Sequence, residues 1–124
     1  MNMHDPIDFR EFARALGTVV DYATGNTVFS EGDTPRYMYI VLAGSVDIVH
    51  RDKLIETIAQ GDAFGILGLL DEQPRTVTAR AKENCELAVI ERKKFRYMVE
   101  EVPNFVWYVM DELAQRLRST NAAL

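Results

Sequence analysis

The chain has 124 residues, 48% of them hydrophobic and 27% charged, with a formal charge of −5. That length and apolar content fit one domain, residues 1–124, with a real core, and exclude two full domains or wholesale disorder. No apolar run reaches the roughly 18–20 residues that span a bilayer, and the start, Met1-Asn2-Met3-His4-Asp5-Pro6, shows no secretory pattern, so a cytoplasmic domain with no membrane contact is expected.

Residues 6–16 read as a helix, with Phe9, Phe12, Ala13 and Leu16 at helical spacing and Gly17 as a stop. From 18 to 90 the grammar changes to short β-branched and aromatic runs: Thr18–Tyr22, Thr27–Ser30, Tyr37–Leu42, Ser45–His50, Leu54–Ala59, Thr76–Ala81 and Glu86–Ile90. Turn signals separate them, among them Gly25-Asn26, Gly32-Asp33, Ala43-Gly44 and Gly61-Asp62. Many short strands at such spacing predict a small antiparallel roll, α+β but mainly β, and disfavour a parallel sheet. Helices return at the end. Lys93 to Glu100 makes a short one, and Pro103 suits the first turn of a longer one running to about Asn121. In the long helix Val106, Met110, Leu113 and Leu117 recur at heptad spacing, while Phe105, Trp107, Tyr108 and Val109 make it apolar on more than one side. A helix on a domain surface needs one such stripe. The second predicts a partner helix.

Charge is unevenly spread. Residues 1–74 carry 5 basic and 12 acidic side chains, net −7, whereas residues 75–96 carry 7 basic and 3 acidic, net +4. An acidic body opposes nucleic-acid binding, and the run from Arg92 to Arg96 reads as a solvated face.

The inventory gives no reason to expect an enzyme. Only His4 and His50 are available as imidazole ligands, too few for a barrel metal site, so no metal centre is expected. The single cysteine, Cys85, forms no internal disulfide, has no neighbouring histidine, and reads as a buried structural thiol. None of the motifs GxxxxGK[ST], GxGxxG or GxSxG occurs.

The segment from Gly61 to Thr76 is the exception. Two glycines, Gly65 and Gly68, lie close to an apolar single turn, Ile66 to Leu70, where backbone amides can approach an anion. Period-two alternation places Arg75 in parity with Val77, Ala79 and Ala81, on the inward face of the next strand. A buried guanidinium needs an anion. Asp71 or Glu72 could supply it, as could a bound phosphate held bidentately.

Together, Phe64-Gly65-Ile66-Leu67-Gly68-Leu69-Leu70 and Pro74-Arg75-Thr76 resemble the phosphate-binding cassette of cyclic nucleotide-binding domains. Further matches are Phe29-Ser30-Glu31-Gly32-Asp33, Tyr39-Ile40-Val41, Gly44-Ser45-Val46, Cys85-Glu86-Leu87 with Ile90, and Lys93-Lys94-Phe95-Arg96. The resemblance covers about residues 18–121 and is nearest to the sensory domain of catabolite activator protein-like bacterial regulators. It implies an antiparallel double-stranded β-helix, the jelly roll, holding cyclic AMP or cyclic GMP and flanked by helices, with no resident cofactor. By position, Arg75 and Thr76 would take the cyclic phosphate, Gly65 and Leu67 would offer backbone contacts, and Ile48 would line the wall for base or sugar. Thr120 and Asn121 would reach the base across a homodimer built on Val106, Met110, Leu113 and Leu117.

Two departures qualify what the resemblance implies. Where the family has a glutamate that accepts from the ribose 2′-hydroxyl, this chain has Ile66. Losing a charge-assisted hydrogen bond of about 1.5–3 kcal/mol weakens binding roughly ten- to a hundredfold, and Ile66→Glu is expected to restore it. The chain also ends at Leu124, before any helix-turn-helix, so it is not expected to bind DNA alone and would act through an unknown effector. A ligand-free dimerisation or protein-interaction module, or a pocket adapted to another ligand, is the competing reading.

Overall fold

The computed structural model describes residues 8–123. In chain order its elements are α1 (Arg10–Leu16), β1 (Thr18–Tyr22), β2 (Thr27–Phe29), β3 (Tyr37–Ala43), β4 (Val46–His50), β5 (Lys53–Ile58), β6 (Ala63–Phe64), α2 (Ile66–Asp71), β7 (Thr78–Ala81), β8 (Cys85–Glu91), α3 (Arg92–Glu101) and α4 (Phe105–Ala123). The strands form two four-stranded sheets, ordered β1-β8-β3-β6 and β2-β7-β4-β5, with antiparallel pairing throughout. Most neighbours in each sheet are distant in sequence, as in a jelly roll, so the expected α+β, mainly β class holds.

The sheet β1-β8-β3-β6 divides the core in two. Along β3 the period-two alternation sends Met38, Ile40 and Leu42 toward the helices, and Tyr39 and Val41 into the space between the sheets. β8 repeats this, with Ala88 and Ile90 on the helix side and Cys85 and Leu87 inside the roll. Because both faces are covered, these strands read as unbroken apolar runs. The helix-side cluster adds Phe9 and Ala13 with Phe95 and Met98 of α3 and Phe105, Tyr108 and Val109 of α4. Phe9 meets Phe105 edge-on at 5.4 Å, which ties the segment ahead of α1 to α4.

Several boundaries differ from the sequence expectation. α1 begins at Arg10, and residues 6 and 7 of the expected helix lie outside the described residues, as does His4. Pro103 sits in the turn before α4 rather than in its first helical turn, because Asn104 takes a left-handed φ of 67° and the helix starts at Phe105. The two-residue β6 was not expected, since Ala63-Phe64 is too short to carry a strand pattern.

Candidate functional site

β6 leads straight into the cassette. Phe64 is interior, stacked on Tyr39 at 5.0 Å, and Gly65 then turns the chain with a φ of 75° into the six-residue α2. That left-handed value favours glycine. A Cβ on Gly65 would stand 3.1 Å from Arg75 Nη1, and one on Gly68 would stand 2.4 Å from Pro35 Cβ. Both glycines let α2 lie close over the arginine.

Arg75 is 8% exposed. Its Nη1 donates to the Gly65 carbonyl at 2.8 Å, and Nη2 donates to the Tyr37 carbonyl. The guanidinium carbon lies 4.2 Å above the Phe29 ring centre, a cation–π contact. Burial lowers the guanidinium pKa, while Tyr39 and Asp33 oppose that shift. The inward parity expected for Arg75 therefore holds, with Ala79 and Ala81 buried beyond it. The Asp71 or Glu72 partner does not: among the described residues Arg75 makes no carboxylate pair, and Glu72 instead faces Arg92 at 3.5 Å.

The Phe29–Asp33 motif supports this arginine. Phe29 provides the ring beneath it, the Arg75 amide donates to the Asp33 carbonyl at 2.9 Å, and the Gly32 amide donates to the Arg75 carbonyl at 2.8 Å. The Asp33 carboxylate closes its own loop by accepting from the Ser30 amide at 2.9 Å. Cys85 is 5% exposed in the interior cluster, and burial raises its thiol pKa, as a structural cysteine requires.

The other expected site residues separate into groups. Ile48 is buried in the interior cluster, across from Ala79. Thr76 is exposed beside Arg75, and its carbonyl lies 3.0 Å from His50 Nδ1. Leu67 points outward at 58% exposure. Ile66, in contrast, is 2% exposed and packs with Met38, Ile40 and Leu69 in the helix-side cluster. Its side chain is on the far side of the sheet from the interior, which corrects its placement as a ligand-facing residue and removes the geometric basis for expecting Ile66→Glu to restore a sugar contact. Thr120 and Asn121 are exposed on α4, with the Thr120 hydroxyl bonded to its own helix at the Arg116 carbonyl, 3.0 Å away.

Of the four residues expected along the α4 seam, three are exposed. Val106, Met110 and Leu117 are 38%, 53% and 62% exposed, and Trp107 joins them at 43%. Leu113 differs, since it packs partly buried against the chain's own core. The opposite stripe, Phe105, Tyr108, Val109 and Glu112, is buried.

A polar cluster that sequence reasoning missed lies where this stripe crosses β5 and β6. Glu112 is 2% exposed, and Arg116 Nη1 donates to it at 3.2 Å and to the Ala63 carbonyl at 2.7 Å. Arg116 Nε lies 2.8 Å from Glu56 Oε1. The Tyr108 hydroxyl donates to the Gly61 carbonyl at 2.8 Å. Burial, and then the neighbouring Asp62 carboxyl, push the Glu112 pKa up to about 8, against the pull of Arg116. An open cleft of about 390 Å³, lined by Asp8, Arg10, Gln60, Gly61 and Asp62, adjoins this cluster rather than Arg75. The signal for the cluster was an ionisable pair, Glu112 and Arg116, in register with a buried apolar stripe.

Comparison with known proteins agrees with this geometry. Residues 19–102 match the family described as the cyclic nucleotide-binding domain. The chain is 32% identical over 106 residues to the cAMP-activated global transcriptional regulator CRP of Pasteurella multocida, covering 81% of this chain and 51% of that protein. The chain thus spans about half the length of the curated relatives it matches. Among solved structures, the Thermus thermophilus catabolite activator protein superposes with a TM-score of 0.78 at 25% identity, covering 97% of this chain and 59% of the other. The c-di-GMP responsive global regulator CLP of Xanthomonas campestris gives 0.79 at 26% identity, covering 92% and 60%. No helix among the described residues is long and apolar enough to cross a membrane.

Proposed function

The chain belongs to the cyclic nucleotide-binding domain family, and from that membership we propose that it is a non-enzymatic, cytoplasmic sensor domain whose β-roll takes the cyclic phosphate of cyclic AMP or cyclic GMP on Arg75. One observation carries the reading. Arg75 is a buried guanidinium whose hydrogen bonds go to two neutral carbonyls, so its full charge has no carboxylate counterpart among the described residues. A phosphate supplies that counterpart with matching planar geometry. Gly65 and Leu67 offer backbone amides, the Thr76 hydroxyl stands at the rim, and Ile48 lies on the interior wall. Thr120 and Asn121 belong to the site only if α4 of a second copy brings them there. That second copy is the partner proposed for the exposed stripe of Val106, Met110 and Leu117.

Calorimetric titration of cyclic AMP and cyclic GMP into the parent protein and into Arg75→Ala tests the phosphate assignment. Removing one member of a buried charge pair costs about 2–5 kcal/mol, so the variant should lose at least thirtyfold in affinity. Equal affinities would overturn it.

A ligand-free interaction module is the second reading, and Ile66 favours it because the family's ribose-binding carboxylate is replaced by a core side chain. A ligand that binds only the folded state must raise its melting temperature. No shift with either nucleotide at millimolar concentration would decide for that reading.

A further inference from the structure

The cross-strand register of β4 and β5 slips by one residue between Ile48 and Val49, opposite Glu56 and Leu54. Ile55 is the extra residue of this bulge, and such bulges re-aim neighbouring side chains. Ile48 and Ile58 are interior, Ile55 packs against the same cluster, and Glu56 is the direct partner of Ile48. Glu56 therefore projects from the interior face of its sheet, where the other neighbours are apolar. Its side chain is 14% exposed.

The two carboxylate oxygens have different surroundings. Oε1 lies 2.8 Å from Arg116 Nε in an ion contact, although the N–H is not aligned for a hydrogen bond. Oε2 is buried and has no hydrogen-bond partner among the described residues. Leaving a buried acceptor unpaired forfeits its hydration with nothing in return, and such a group in a native fold calls for an explanation. Ion pairing with Arg116 accounts for one oxygen and leaves the other unexplained.

Position supplies the explanation. Arg116 Nη1 holds the Ala63 carbonyl in β6 and Arg75 Nη1 holds the Gly65 carbonyl just past its end, so the two arginines hold backbone carbonyls two residues apart. Backbone two residues apart spans at most about 7 Å, on the order of a cyclic phosphate with its fused sugar. We propose that Glu56 Oε2 is the acceptor for a neutral hydrogen-bond donor on the nucleoside half of the bound nucleotide, either the sugar 2′-hydroxyl or a purine 2-amino group, and so determines ligand specificity. The proposal rests on the reading that the roll takes a cyclic nucleotide. Arg116 makes the arrangement compatible with an anionic ligand, because its charge offsets the carboxylate that would otherwise repel the phosphate.

The test compares affinity ratios, by calorimetry, in the parent protein and in Glu56→Leu and Glu56→Gln. Cyclic AMP against 2′-deoxy-cyclic AMP reports the sugar hydroxyl. Cyclic GMP against cyclic IMP, which lacks the 2-amino group, reports the purine amine. In the parent one ratio should favour the donor-bearing ligand by roughly ten- to a hundredfold. Glu56→Leu should bring that ratio close to one, and Glu56→Gln, which keeps an oxygen acceptor, should retain part of it. A packing defect weakens both members of a pair alike and leaves the ratio unchanged, so collapse of one ratio supports the assignment and identifies the donor. Unchanged ratios in Glu56→Leu overturn it, and if Arg75→Ala abolishes the same binding, the phosphate reading survives alone. A parent protein that binds none of the four overturns both.

Discussion

Ile66 opens α2 and Arg75 follows its end, yet the fold uses them for opposite purposes. Arg75 turns inward ahead of β7 and lies across Phe29, whereas Ile66 turns away to meet Leu69, Met38 and Ile40. A carboxylate at position 66 would enter that apolar cluster without a partner, at a cost on the order of 3 kcal/mol. Ile66→Glu should accordingly lower the urea unfolding free energy by about that amount, with no gain in nucleotide affinity. A variant as stable as the parent would show that this side chain escapes the helix-side core. Arg75 was legible in the sequence because its inward parity with Ala79 and Ala81 is a local pattern, and it survives the bend that separates the arginine from β7. The direction of Ile66 was not, because it depends on the left-handed turn at Gly65, and that turn is set by how closely α2 can lie over Arg75 and Pro35. Glu56 was hidden for a similar reason: the bulge that places it opposite Ile48 belongs to a strand pair rather than to one strand.

Among the elements, α4 carries two apolar faces with different fates. The face of Phe105, Tyr108 and Val109 closes the helix-side core, while Val106, Trp107, Met110 and Leu117 remain open to solvent. The sequence showed both faces, since heptad spacing survives alongside the extra aromatics. Leu113 falls between the two stripes and packs, partly buried, against the chain's own core. The strands were legible to within a few residues wherever β-branched runs met glycine turns, and β6 escaped because two residues hold no period. If a second copy covers the open face, a charge at its centre must be desolvated or expelled. Met110→Glu should convert a dimer into a monomer by light scattering at micromolar concentration. The monomer should keep the parent's far-ultraviolet circular dichroism, because Met110 makes no part of the described core. A parent protein that is already monomeric would refute the docking of a second copy on this face.

At the scale of the whole molecule, the polar cluster joins what the two cores keep apart. Through Arg116 and Glu112, α4 is bound to β5 at Glu56 and to β6 at Ala63, and Tyr108 adds the Gly61 carbonyl. Its stability must depend on pH in a definite direction. Burial and the facing Asp62 raise the Glu112 pKa from 4.5 to about 8, with Arg116 opposing, while the nearby Tyr108 phenol is itself pushed up by burial. The folded state therefore binds protons more tightly than the unfolded chain across that interval. The contribution is fully present below about pH 4.5, declines as pH rises toward about 8, and is gone above it. Urea unfolding at pH 5.5, 7 and 8.5 should show a falling stability that Glu112→Gln flattens, since an amide carries no proton linkage. Contributions from other ionisable groups distant from Glu112 are common to parent and variant and cancel in the difference. An identical slope in both proteins would mean that Glu112 stays ionised against Arg116 throughout. A flattened slope would mean that the proton held by Glu112 helps keep α4 against the strand that leads into Gly65, so the outer helix and the cassette are coupled through β6.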